Sequence, residues 1–408
     1  PRPPVDLDDP RGVERILDLE LTRGDLPSPA NDLLRCTGRQ RGMEVLRRAV
    51  EALGRAQFSR RLIDAWGNPE SRRDALSWMV LHTDPVPGEE SDFDAWAKEV
   101  PEARLLALAV YAPQWARSWK GLEDGVWWIR AHTRETGYGT PESRERFALE
   151  LSERTPVAAA DLAEGAVDVE WYARARGALG KKRWEALLDA AKYASSKGGQ
   201  KRAMLFADAM GGALKLAEVR KRIDEKRRQD SVRAFGLIPL RRGKLRAKDL
   251  LMRYERLHAF RKESREFGAQ RQESEGRAVD IGLDNLARTA GYSDPQRLTW
   301  AMERDAVADL VDGPVEVRRD DVTLTLSVDA EGTPELEVMR GTKRLKSVPK
   351  SHAKDPLFAA MKARAKELRG QASRVKEVLE RSMVDGDRFE AAELGELLVH
   401  PVLGPNFR

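Results

Sequence analysis

The sequence predicts a mainly α-helical protein, an irregular α-solenoid or helical array with one small antiparallel β-meander near residues 315–348. Three observations carry that reading. Apolar residues recur at helical spacing in segment after segment up to about Gly313, and each segment closes on Gly, Pro or Asn. The period then changes to two, with Val322, Leu324, Leu326 and Val328 alternating with Thr323, Thr325 and Ser327. Hydrophobic residues make up 41% of the 408 and charged residues 34%, too apolar for a disordered chain and too charged for a membrane protein.

In chain order, the spacing predicts a helix over 44–56 that continues through 60–66 and stops at Gly67-Asn68-Pro69. Ser71 opens the next helix, over 72–81, and Thr83-Asp84-Pro85 closes it. Helices follow over 92–100 and 101–111, the second starting on Pro101, whose missing N–H costs nothing at that position. Further helices are expected at 115–133, 141–152, 169–178, 181–195 and 200–209. Short helices joined by short loops suggest a HEAT-like stack, although no fixed-period repeat names a repeat class.

Leu250, Tyr254, Leu257 and Phe260 share one helical face, with Arg253, Arg256 and Lys262 largely off it. Val279, Leu283, Leu286 and Ala290 repeat the pattern, and after a turn at 291–295 the chain is helical again over 296–310. Strands at 315–318, 322–328, 336–338 and 345–348, with turns at 331–334 and Gly341-Thr342, make a meander of three or four strands. So small a sheet is marginal alone and is expected to pack against helices. Helix resumes over 355–383, and a last one covers 391–399. The expected regions are an N-terminal helical array (1–164), a central helical region with a basic helix (165–312), the meander (313–350) and C-terminal helices (351–408).

Composition excludes several chemistries. The longest apolar run, 105–112, is far short of the roughly 20 residues that span a bilayer, so no membrane insertion is expected. Cys36 is the single cysteine, which excludes an internal disulfide framework and multi-cysteine metal sites and points to a soluble, cytoplasmic protein. His82, His132, His258, His352 and His400 lie at least 48 residues apart, so no short-range metal pair exists. No cofactor and no catalytic residues are expected. The start on Pro1 without Met, and the apolar stretch 397–403 just before Arg408, suggest a piece excised from a longer polypeptide, whose missing parts would be partners.

Two clusters are candidate sites. Net charge is +5, but 212–265 alone holds 18 Lys/Arg against 7 Asp/Glu, a local excess of +11. Within it, Leu216, Val219 and Ile223 form an apolar stripe on a segment running from Lys215 to Arg233. Lys215, Arg220, Lys221, Arg222, Arg227 and Arg228, with Lys226, crowd the rest. Such a basic amphipathic helix can lie on nucleic acid, an anionic membrane or an acidic partner, and a plain solvated face is the favoured reading. It has no aromatic residue between Leu216 and Val232, so stacking on single-stranded bases is not supported.

The second cluster, Arg271, Glu275, Asn285, Arg288 and Arg297, contains types that organise an anion or nucleotide pocket, and equally types that lock helices together. Trp115, Trp119, Trp127 and Trp128 are read mainly as interhelical core, with an aromatic groove as the alternative. Ser195–Lys201 lacks the order of a phosphate loop, and 381–392 fails as a calcium loop because Arg381 and Ala392 stand where carboxylates belong.

Arg253-Tyr254, Phe267-Gly268-Ala269-Gln270-Arg271, Glu275, Asn285-Leu286-Ala287-Arg288, Gly291-Tyr292, Asp294 and Arg297-Leu298 together resemble the bacterial MolR-like family. That is a domain-of-unknown-function group, some of whose members carry a WGR module. Arg344–Pro349 and His400-Pro401 are similar as well, so the resemblance spans about 234–403. It implies a longer polypeptide and no established catalytic residues. No WGR module is visible here, so that module's nucleic-acid role does not carry over.

The expectation is a non-enzymatic helical scaffold or regulatory module that binds a macromolecule. A protein partner leads, and nucleic acid through the basic helix comes second. The alternative is an enzyme or nucleotide/oxyanion-binding regulator using the pocket at 271–297.

Overall fold

Helix starts and stops follow the punctuation of the chain. The Ser71 hydroxyl accepts from Asp74 N at 3.1 Å and the Asp74 carboxylate accepts from Ser71 N at 3.3 Å, a capping box that opens the helix at Arg72. The computed structural model describes residues 10–24, 26, 31–62, 70–116, 120–133, 141–195, 198–385, 391–402 and 404–407. They fall into two compact units, Pro1–Ser293 and Asp294–Arg408. The stop at Gly67-Asn68-Pro69, Trp119, Ser196-Lys197 of the glycine–lysine linker, and Gly386-Asp387 of the calcium-loop comparison lie outside the described residues.

The first unit runs through α1 (Pro10–Thr22), α2 (Asn31–Leu34), α3 (Met43–Leu53), α4 (Arg72–Leu81), α5 (Glu90–Ala97), α6 (Glu102–Tyr111) and α7 (Leu122–Thr133). It continues with α8 (Pro141–Ser152), α9 (Ala159–Glu164), α10 (Val169–Ala190), α11 (Gly199–Met210), α12 (Leu216–Lys226), α13 (Gln229–Phe235), α14 (Leu245–Glu263) and α15 (Ala269–Ala290). The helices predicted at 169–178 and 181–195 are one run, kinked at Gly180, whose φ of 74° only glycine adopts freely. A two-residue parallel bridge, β1 (Gln40–Arg41) with β2 (Thr83–Asp84), was not anticipated, because two residues are too few for an alternation to register.

The core of this unit is aromatic. Trp128, Tyr172 and Trp184 meet with ring centroids 5.3–5.5 Å apart, and His132 lies 4.5 Å from Trp128. Trp115 is buried too, stacked on Phe93 and donating Nε1–H to Thr83 O at 2.8 Å. Adjacent Trp127 and Trp128 point different ways, as expected: Trp127 meets Phe147, with the Arg154 guanidinium 5.0 Å over its ring. The described tryptophans of that cluster therefore fill space between helices.

The second unit contains α16 (Pro295–Ala306), α17 (Ala308–Val311), the strands β3 (Val315–Arg319), β4 (Val322–Val328), β5 (Pro334–Arg340) and β6 (Lys343–Leu345), then α18 (Pro356–Asp385) and α19 (Ala391–Val399). The four strands pair antiparallel in sequence order, with Leu324 opposite both Val317 and Val338. Val322, Leu324 and Leu326 are fully buried against Phe358, Met361, Ala365 and Leu368 of α18, so the sheet does rest on a helix. Among the described residues no helix is long and apolar enough to cross a membrane.

Candidate functional site

The basic segment predicted as one helix from Lys215 to Arg233 is two helices. α12 ends at Lys226, Arg227 takes a left-handed backbone (φ 45°, ψ 41°), and α13 starts at Gln229. A non-glycine residue in that conformation costs about 1–2 kcal/mol, so something must hold it. Arg227 donates Nε–H to Glu275 Oε1 at 3.1 Å and Nη2–H to Glu275 Oε2 at 2.6 Å. It also donates to Glu263 Oε2 at 2.9 Å and to Phe260 O at 3.2 Å. Its guanidinium lies 3.9 Å over the Phe260 ring and 5.1 Å from that of Phe267. Charge-assisted, forked bonds of this kind are the strong ones.

Charges of alternating sign continue from there: Arg220, Asp224, Arg256, Glu263, Arg227, Glu275 and Arg271. Arg220 lies 3.5 Å from Asp224, which accepts from Arg256 at 2.7 Å, and Arg256 donates to Glu263 at 3.0 Å. Arg271 donates Nε–H to Glu275 at 2.9 Å and rests 3.7 Å over Phe267. The series binds α12, α14 and α15 side by side. Glu275 is its buried centre, its side chain 2% exposed. Burial alone would raise that carboxyl's pKa, but the bonds from Arg227 and Arg271 outweigh it and hold it below the ordinary Glu value.

The other pocket candidates do not join Arg271 and Glu275. Asn285 is fully buried and turned inward: its Oδ1 accepts from Val167 N at 2.8 Å, and its Nδ2 donates to Gly165 O and Arg233 O, both at 3.1 Å. Arg288 pairs with Asp284 at 2.6 Å, one turn back on α15. Arg297 belongs to the second unit, where it pairs with Asp294 while its N–H donates to Asp294 Oδ1 at 2.8 Å at the start of α16. A shallow hollow on α14 and α15 is lined by Arg261, Arg265, Gln272, Glu273, Arg277 and Asp280 and includes none of the five. Among the described residues, no group of three or more His, Cys, Asp or Glu could hold a metal ion.

Of the six cations predicted for macromolecule binding, Lys215, Arg220, Lys221, Arg222 and Arg228 are exposed, Arg220 at the outer end of the network, and Arg227 is turned into its centre. Arg220 and Lys221 face carboxylates one turn along, Asp224 and Glu225 at 3.5 and 3.8 Å. Such exposed pairs contribute little. Lys215, Arg222 and Arg228 have no ion-pair partner among the described residues.

Arg253, read as lying off the apolar face, is 1% exposed. It pairs with Asp249 at 2.8 Å and donates to the carbonyls of Phe235, Ile238 and Pro239, while Asp249 accepts from Arg241 N at 3.0 Å. The four-residue Asp–Arg spacing was visible in the sequence, but nothing local separates a buried pair from an exposed one.

Two family models match the chain. One, a family of unknown function (DUF5724), covers residues 10–302, and the other, a domain of unknown function (DUF4132), covers residues 342–408. Comparison with curated proteins and with solved structures returns no match.

Proposed function

The chain belongs to the family of unknown function DUF5724, and from that premise we propose that it is a non-enzymatic helical scaffold or regulatory module that holds a macromolecular partner. One observation carries the reading. The pocket candidates Arg271 and Glu275 are tied up with Arg227, Arg256 and Glu263 in one bonded network joining α14, α15 and the end of α12, whereas Lys215, Arg222 and Arg228 face solvent without carboxylate partners among the described residues. Charge spent internally braces the array, and charge left outside recruits. The residues at 253–298 and 344–349 further support a MolR-like bacterial, cytoplasmic protein, with the WGR association resting on that resemblance alone.

The test is a binding assay with Arg222→Glu/Arg228→Glu. Loss of partner capture from a lysate of the source cells, with an unchanged melting temperature, supports the scaffold. Unchanged capture, with an unchanged salt dependence, refutes the role of this face.

A second reading, a nucleotide- or oxyanion-binding regulator, draws on Arg271, whose side chain remains 46% exposed beside Glu275. A thermal-shift screen at millimolar nucleotide and oxyanion decides it. No shift is expected, and a shift abolished by Arg271→Ala would favour this reading over the scaffold.

A further inference from the structure

The densest uncompensated charge in the first unit lies outside the helix that composition singles out. Between Asp230 and Asp249 there is no carboxylate, and 241–248 (RRGKLRAK) holds five basic residues, every position of which is exposed. Arg241, Arg242, Lys244 and Lys248 have no side-chain ion pair among the described residues. The nearest carboxylate along the chain, Asp249, is turned inward onto Arg253 and does not neutralise them.

This basic segment, a loop at 241–244 and the first turn of α14 at 245–248, is also held. Arg253 donates to carbonyls at 235, 238 and 239, Asp249 accepts from Arg241 N, and Arg246 donates to Ala290 O at 2.8 Å. Gly243, at φ 62°, turns the chain into α14. A fixed backbone spares most of the ordering entropy that a mobile basic segment loses on binding.

The chemistry of the surface selects among polyanions. Stable protein interfaces carry an apolar core, and lasting attachment to an anionic membrane adds apolar side chains or a lipid to the basic charge. Of large apolar side chains this segment exposes Leu245, at 52%, on the first turn of α14. Single strands need aromatic platforms, and there are none between Leu237 and Met252. A duplex needs only cations spaced along its backbone.

We propose that Arg241, Arg242, Lys244 and Lys248 form a docking surface for the phosphate backbone of duplex nucleic acid. This rests on the scaffold reading and names the class of partner and the surface that meets it. The contact proposed is to phosphates, and a phosphate contact carries no base sequence.

The experiment is fluorescence anisotropy of the full chain with a short mixed-sequence DNA duplex over a salt series. Four phosphate contacts give a log–log salt slope of about −3.6, a weakening of about 150-fold from 50 to 200 mM salt. Arg241→Glu/Arg242→Glu/Lys244→Glu lowers affinity at least about tenfold and flattens the slope by about 2.7, with the circular-dichroism melt unchanged. Lys248→Glu alone moves both in the same direction. Failure of the wild type to bind duplex overturns the inference, and so does tighter binding to a single strand or to phosphatidylserine vesicles. Duplex binding lost in Arg222→Glu/Arg228→Glu but kept in the loop variant also overturns it and leaves the scaffold reading standing. A nucleotide-dependent thermal shift abolished by Arg271→Ala counts against the scaffold reading itself, so the two failures are distinguishable.

Discussion

Arg227 and Glu275, 48 positions apart, are joined by a two-pronged bond that holds Arg227 in a left-handed backbone between α12 and α13. Removing one partner of a buried pair leaves the other charge stranded, typically at a cost of about 3–5 kcal/mol. Arg227→Ala is expected toward the lower end, because Arg271 still reaches Glu275. Arg227→Lys keeps the charge and loses the fork, so it recovers only part of the loss. Urea unfolding of Arg227→Ala, Glu275→Gln and the double variant measures the coupling, expected at about 0.5–3 kcal/mol. Additive effects would mean that the two do not hold each other.

His132 predicts how stability depends on pH. Burial, then the nearby Arg202 charge, pushes its pKa from 6.5 down to about 3. The unfolded ring takes a proton below 6.5, whereas the folded one resists until about 3, so stability is full above 6.5 and falls through that window as pH drops. Glu275, also depressed, acts in the same direction, but only below its ordinary value of 4.5. Unfolding midpoints at about pH 7 and about pH 5 therefore report the histidines His132 and, in the same direction, His82, whose pKa burial also lowers, and His132→Phe separates the two. His132→Phe is expected to flatten the difference, and an unchanged slope would place the titration elsewhere.

Particular residues mark how far the sequence reads. Val322, Leu324 and Leu326 announce a strand because one face of the sheet is buried, and burial on one face is what alternation records. The break at Arg227 leaves no such trace, since its partners Glu263 and Glu275 lie 36 and 48 positions away. Asn285 and Arg288, three apart, look like one polar face, yet Asn285 serves the backbone at 165–167 and Arg288 serves Asp284. Pairings decided by tertiary neighbours are therefore visible as residue types and invisible as geometry. The basic segment 241–248 shows its charge in the letters, but the bonds that hold it come from Arg253 and Arg246.

Gly236 tests how closely α13 and α15 cross. A Cβ there would stand 2.4 Å from Gly282 O and 2.6 Å from Leu286 N, both backbone atoms that cannot swing aside. Its φ of −71° suits alanine, so any effect is steric. Gly236→Ala is expected to destabilise by about 1–3 kcal/mol. Gly282→Ala, whose nearest contact is 3.0 Å, should do less. A thermal melt that ranks them the other way would contradict the crossing.

Asn285→Ala strands the N–H of Val167 and the carbonyls of Gly165 and Arg233. Each buried orphan costs about 1–3 kcal/mol, and Asn285→Asp keeps the acceptor while losing both donated bonds. Both variants should lower the urea midpoint. In Asn285→Ala hydrogen exchange should rise at Val167, a change a merely global loss would not confine there, whereas Asn285→Asp, which keeps that acceptor, should spare it.

Asp249 and Arg253 behave differently from a simple buried ion pair. Replacing such a pair with apolar residues is often neutral or stabilising by about 1–4 kcal/mol. Here Arg253 also serves three carbonyls and Asp249 serves Arg241 N, so Asp249→Leu/Arg253→Met leaves backbone groups unpaired as well. Asp249→Ala alone strands the guanidinium and is expected to cost about 3–5 kcal/mol, and the double variant should recover only a fraction. Because these bonds pin the basic loop, the double variant should also weaken duplex binding without removing any exposed cation. Full recovery of stability by the apolar pair, measured by urea unfolding, would show that the loop carbonyls do not depend on Arg253.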